Sequence, residues 1–244
     1  MIVVLPPLLS NFFKFSDYST LEGLISDSDE SSYFEEVSSL VEWCDSNSLE
    51  LNIGKTKEMI IDFRRNKSPL APLLIKDQKV DIIDSFKFLG STISSDLKWE
   101  ANTSDIISKC HQRLYFLRKL KKFGVGKDTL VNFYRATIES ILTFSITAWF
   151  SSLTDFDKNR LSKIVHTSSK ITGANLKSVE RIYQERSARK VRSILANSEH
   201  PANSLFDTLP SGRRFRSIPA RTNRFKNSFY VSAAREFCPP HYNS

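Results

Sequence analysis

LELNIGKTKEMIIDFRR (49–65) and FKFLGSTISSDLKW (86–99) decide the fold. Apolar and polar residues alternate in both runs, the period of a half-buried strand, and a glycine marks a turn in each, Gly54 and Gly90. From Glu100 the period changes to about 3.6 residues. Ile106, Ile107, Cys110, Leu114, Leu117 and Leu120 then share one helical face, with Lys109, Arg113, Arg118, Lys119, Lys121 and Lys122 off it. Strands before this point and helices after it predict an α+β chain: a small antiparallel sheet with one or two helices over 1–98, a helical domain over 99–196, and a basic, loosely ordered extension over 197–244.

Outward from the opening stretch, the same rules place the other elements. Short strands are predicted at 12–15 and 21–25 around Ser16-Asp17-Tyr18-Ser19. A helix is predicted from the acidic run 26–32 through Val37, Leu40, Val41 and Cys44, with Asn47 and Ser48 ending it. A strand is expected over 58–63, a loop over 64–72, a hairpin of 73–76 with 79–83 about Asp77-Gln78, and a strand or tight hairpin over 86–93. Gly124-Val125-Gly126 ends the first long helix of the second half. Helices follow through Leu130–Leu142 positions, through Leu161, Ile164, Val165 and Ile171 up to Gly173, and over Val179–Leu195. Beyond Pro201 the chain interleaves Arg213, Arg214, Arg216, Arg221, Arg224 and Lys226 with Phe215, Phe225 and Phe229.

The net charge of +8 hides a division. Residues 1–110 carry 11 Lys+Arg against 18 Asp+Glu, and residues 111–244 carry 24 against 9. A basic half of this kind fits a polyanionic partner, nucleic acid foremost, or solvated helix faces. Three cysteines, Cys44, Cys110 and Cys238, stand far apart without a C-x-x-C spacing, which argues against a disulfide framework or zinc knuckle and for a reducing compartment. The start, MIVVLPPLLSNFF (1–13), has no basic residue before Lys14 and is interrupted by Pro6-Pro7. Neither a signal peptide nor a membrane-spanning helix is expected, and the expected location is intracellular, nucleus or cytoplasm.

LVEWCDSNSLELNIGKTKEMIIDF (40–63), FKFLGSTISSDLKW (86–99), LYFLRKLKKFGV (114–125), FYRATIESILTFSITAWF (133–150) and LPSGRRFRSIPARTNRFKNSF (209–229) occur in an order that resembles the C-terminal part of non-LTR (LINE-type) retrotransposon reverse transcriptases. The resemblance implies a truncated palm followed by a thumb-like bundle. It places the family's Y/F-x-D-D hairpin at Phe15-Ser16-Asp17-Tyr18, with Asp17 as the remnant of the paired aspartates and Tyr18 where the second should stand. The intact family holds two Mg²⁺ ions there; a phenol cannot replace a carboxylate as a hard ligand, so no cofactor and no polymerase activity are expected of this chain. The resemblance further implies a lysine behind the hairpin, Lys55 first and Lys57 second, a primer grip at FKFLG (86–90) using Phe88 and Gly90, and thumb contacts from Arg113 and Lys121 to phosphates. The tail cations would add contacts to RNA, DNA or a hybrid, with low sequence specificity and its phenylalanines stacking on bases.

Two other readings stand beside this one. A palm without its partner strands leaves exposed edges, as in an inert, poorly folded open reading frame product. Residues 134–173 (YRATIES…SKITG) also look similar to a segment labelled as the N-terminal domain of an AlkB-type tRNA dioxygenase. The dioxygenase chemistry itself needs an H-x-D…H triad, and none of His111, His166, His200 and His241 is followed two residues later by Asp or Glu.

Overall fold

A computed structural model describes residues 12–15, 18–23, 25, 29–65 and 70–238. It divides into two compact units: residues up to Phe86 with Ser94–Leu97, and Lys87–Ile93 with the chain from Lys98 onward. The coarse expectation of helices with small sheets is met; the details of the sheet are not.

In the first unit, β1 (Phe12–Phe15) runs antiparallel to β2 (Tyr18–Leu21), so the second strand begins three residues earlier than predicted. The helix α1 (Ser31–Ser46) buries Val37, Leu40 and Cys44 on the expected stripe. Asn47 ends it, its side-chain amide donating to the Trp43 carbonyl at 2.8 Å. The predicted strand over 58–63 shrinks to β3 (Lys57–Glu58), which pairs in parallel with β6 (Asp81–Ile82). Ile61 and Phe63 are exposed, and residues 59–65 take no strand form. Between these strands, β4 (Leu74–Ile75) and β5 (Gln78–Lys79) close about Lys76-Asp77, both at positive φ (49° and 60°). The turn therefore sits one residue before the predicted one, at the pair of left-handed positions that a tight two-residue hairpin demands. Among the described residues the sheets are separate two-stranded pieces, one of them parallel, in place of a single antiparallel sheet. The core of this unit is Val37, Leu73, Ile75 and Val80, flanked by partly buried Tyr33, Phe34, Leu51 and Ile53.

A hairpin of β7 (Ser85–Phe88) and β8 (Ser91–Ser94) turns at Leu89-Gly90, again two positive φ values (46° and 91°). Its tip belongs to the second unit.

The second unit is helical: α2 (Glu100–Lys122), α3 (Lys127–Tyr134), α4 (Ser140–Leu142), α5 (Ile146–Trp149), α6 (Asp155–Thr172) and α7 (Val179–Leu195). A π-helical segment, Arg135–Glu139, joins α3 to α4, so the helix predicted through Leu142 is continuous but widened. It stops at Thr143, and Ser145 at φ 47° redirects the chain into α5. Thr154 caps α6: its hydroxyl accepts from the Asp157 N–H at 3.2 Å and donates to the Asp157 carboxylate at 2.9 Å. Gly173 ends that helix at φ 66°, as its sequence position foretold. Leu114, Leu117, Leu130, Ile138, Leu142, Trp149 and Leu161 are all fully buried in one continuous core. At about 1.5–3 kcal/mol for each large side chain removed from water, this cluster is the main source of the unit's stability.

The stretch expected to be loosely ordered is folded among its described residues. A 3₁₀ turn (Asn203–Phe206), α8 (Asn223–Lys226) and α9 (Phe229–Glu236) are present, and Phe206, Phe215, Ala233 and Ala234 pack with Val191 and Ile194 of α7. No described helix is long and apolar enough to cross a membrane.

Candidate nucleic-acid interface

The helix α2 has two faces of different use. Ile106, Ile107, Cys110, Leu114 and Leu117 are buried against the core. From residue 106 to residue 127 the chain contains seven Lys or Arg and no carboxylate, and Arg113, Arg118, Lys119, Lys121 and Lys122 are exposed. Lys109 instead pairs with Asp105 one turn back. Cations in the last turn also complement the helix dipole, which accounts for part of the bias but not for Arg113 or the uninterrupted run.

Beside this edge lies a concavity of about 490 Å³ between α2 and the α3–π–α4 rod. Phe116, Leu120 and Phe123 line one wall, with Arg113 and Lys119 among them. Phe133, Ala136, Thr137, Ser140 and Ile141 line the other. Phe123 is 79% exposed and Phe116 49%, far beyond what a buried stripe would leave. The Lys119 ammonium sits 5.5 Å from the Tyr115 ring centre, a cation–π contact on the outer face. The π segment contributes Ala136 and Thr137, and its extra residue per turn offsets the wall from the regular helical track. A second concavity of about 350 Å³ is formed by Arg186, Arg189, Lys190 and Ser193 of α7 with Ser145, Ile146 and Thr147. Arg186 is held there by donating to the Thr143 carbonyl.

Burial pushes the Cys110 thiol up to about 12, leaving it protonated and unreactive at neutral pH. Burial also raises Tyr134, whose hydroxyl has no hydrogen-bond partner among the described residues. Among the described residues no three His, Cys, Asp or Glu side chains come together in a way that could hold a metal ion.

The residues singled out from sequence land as follows. Asp17 lies outside the described residues. Lys55 is exposed at the end of the 3₁₀ turn Ile53–Lys55, whose fold comes from Asn52 accepting the Lys55 N–H at 3.1 Å. Lys57 is ion-paired with Asp81, its partner across the parallel strand pair. Phe88 is half-buried in β7. Gly90 does meet a close neighbour, but that neighbour is Phe144: a Cβ at Gly90 would stand 3.1 Å from the ring. The turn and the Phe144 contact thus explain this glycine without a nucleic-acid strand. Arg113 and Lys121 share the cationic part of α2. Arg213, Arg214, Arg216, Arg221, Arg224 and Lys226 are exposed, whereas Phe215, expected to stack on bases, is 3% exposed and packs edge-on against Phe206. The sequence reading passed over Phe116 and Phe123. Their signal was present: aromatics seven apart on the track of Arg113 and Leu120, a second stripe beside the buried one.

Comparison with protein families matches residues 99–140 to the family described as alkylated DNA repair protein alkB homolog 8, N-terminal. The match is to a segment. It runs from the residue before α2 to the first residue of α4, and it covers nearly the whole lining of the larger concavity. No curated protein and no solved structure matches the chain. This finding corrects the reverse-transcriptase assignment. The segments that carried that likeness fold as a 3₁₀ turn, a two-residue hairpin and amphipathic helices, forms that their local sequences specify without a polymerase. The AlkB-type likeness stands in a different place from the one expected: residues 99–140 in place of 134–173, overlapping only at 134–140.

Proposed function

We propose that the helical unit is a nucleic-acid-binding module that grips phosphates along the exposed edge of α2. The observation that carries this reading is the acid-free run of residues 106–127, with Arg113, Arg118, Lys119, Lys121 and Lys122 turned to solvent. Contacts of lysine and arginine to phosphate supply affinity with little sequence choice. The family match supports the reading, because the matched segment contains this edge and the family's name speaks of alkylated DNA repair. Arg186, Arg189 and Lys190 of α7, and the exposed tail arginines, extend the cationic surface within the same unit.

The test is anisotropy of a labelled oligonucleotide with the full chain. Replacing Arg118, Lys121 and Lys122 together by Gln weakens binding about tenfold or more in low salt. Replacing Lys55, Arg65 and Lys79 of the acidic unit by Gln leaves it unchanged. Equal losses from the two sets would remove α2 from the interface.

A further inference from the structure

We infer that the concavity between α2 and the π segment receives an unpaired nucleobase, so that the module prefers single strands to duplex. The inference rests on the phosphate-binding reading of α2 and adds a second kind of contact to it. Phosphate binding alone explains the cations; it does not explain why aromatic rings are left in water beside them. Phe123 is 79% exposed and Phe116 49%, on the same helix as the cations, and they open onto about 490 Å³ of space. That space is ample for a base, and Arg113 and Lys119 are among its lining residues, so that cations for the flanking phosphates stand beside it.

The opposite wall supplies hydrogen-bonding capacity of one sign. Thr137 Oγ1 donates to the Phe133 carbonyl at 2.7 Å, and Ser140 Oγ donates to the Ala136 carbonyl at 2.6 Å. With their protons engaged, both hydroxyls present lone pairs, which accept from the N–H groups on a base edge. A base in a duplex has those groups paired and its faces stacked, so it can use neither the rings nor the hydroxyls. An apolar peptide would use the rings but has no reason to need the cations beside them. Charge and ring together fit a strand of unpaired nucleotides.

The experiment compares an oligothymidylate, an oligouridylate and a blunt duplex of the same length, binding to the full chain at one low salt concentration. Phe123→Ala, at a position too exposed to matter for the core, weakens binding of the single strands about tenfold and leaves the duplex unchanged. Ala136→Phe, which fills the space from an exposed position, does the same. An oligothymidylate carrying one 2-aminopurine loses fluorescence on binding to the unaltered chain, and not on binding to Phe123→Ala. The two single strands separate DNA from RNA as the better ligand. Equal losses on duplex and single strand, or no loss from either variant, would overturn the inference. If Gln at 118, 121 and 122 weakens binding while both groove variants do not, the groove falls and the phosphate reading stands. If nothing binds in low salt, both fall.

Discussion

The two units solve the problem of backbone hydrogen bonding differently, and their cores differ accordingly. In the helical unit every long element pairs its own backbone, and its apolar stripe is free to join one large cluster running from Ile106 to Tyr183. In the acidic unit the strands depend on partners that the chain supplies in pieces of two to four residues. The buried apolar cluster there is Val37, Leu73, Ile75 and Val80 among the described residues. Helical sequence thus gives depth from local rules, whereas strand sequence gives depth only when its partners are also present.

The largest expected effect separates the units by depth. Leu117→Ala, at a position with no exposure, costs about 3–4 kcal/mol, because the surrounding helices cannot close over the cavity. Leu73→Ala in the acidic unit costs about 2 kcal/mol, the low end of the range, since a shallow core collapses more readily. Urea denaturation of the two variants checks this; equal losses would erase the distinction. The next effect concerns capping. Thr154→Ala removes the side-chain cap of α6 and costs about 1 kcal/mol. In the acidic unit the start of α1 is held differently: Asp29 accepts the Ser31 N–H at 3.0 Å, while the N-cap residue Glu30 makes no capping bond and accepts from the Ala71 N–H instead. Glu30→Ala therefore leaves the α1 helical signal in circular dichroism nearly intact.

The smallest effect is one of pH. Burial, opposed by the 2.9 Å hydrogen bond from Tyr33 and reinforced by nearby Glu30, raises the Glu58 carboxyl above its ordinary 4.5. The folded unit thus holds this proton more tightly than the unfolded chain does, so its stability falls as pH rises through and above 4.5. Asp29 and Asp81 are lowered by hydrogen bonds from Ser31 and Lys57, and they act in the opposite sense below their ordinary 3.8. Glu58→Gln flattens the upper part of the profile alone. A Glu58→Gln profile identical to that of the unaltered chain would show that this carboxylate carries no penalty.

Much of the helical unit can be read without coordinates. The spacing of Leu161, Ile164 and Val165, the cap at Gly173 and the span of α7 follow from periodicity and terminal residues. The sheet cannot be read this way, because MIIDF (59–63) is apolar enough for a strand yet takes no strand form in the structure. The fold of the tail is equally hidden: Phe215 looks like one more ring among arginines, and only its contact with Phe206 turns it inward. As for the interface, the cations of α2 are plain in the sequence, whereas the concavity beside them depends on a π turn that no residue pattern announces.

The most direct measurement is the dependence of oligonucleotide affinity on salt, taken with the full chain across a series of concentrations. If about four phosphates meet the α2 edge, the logarithm of the binding constant for a single strand falls with the logarithm of salt at a slope near −3. A slope near zero, or one that survives Gln at 118, 121 and 122 unchanged, would contradict a phosphate-led interface on this helix.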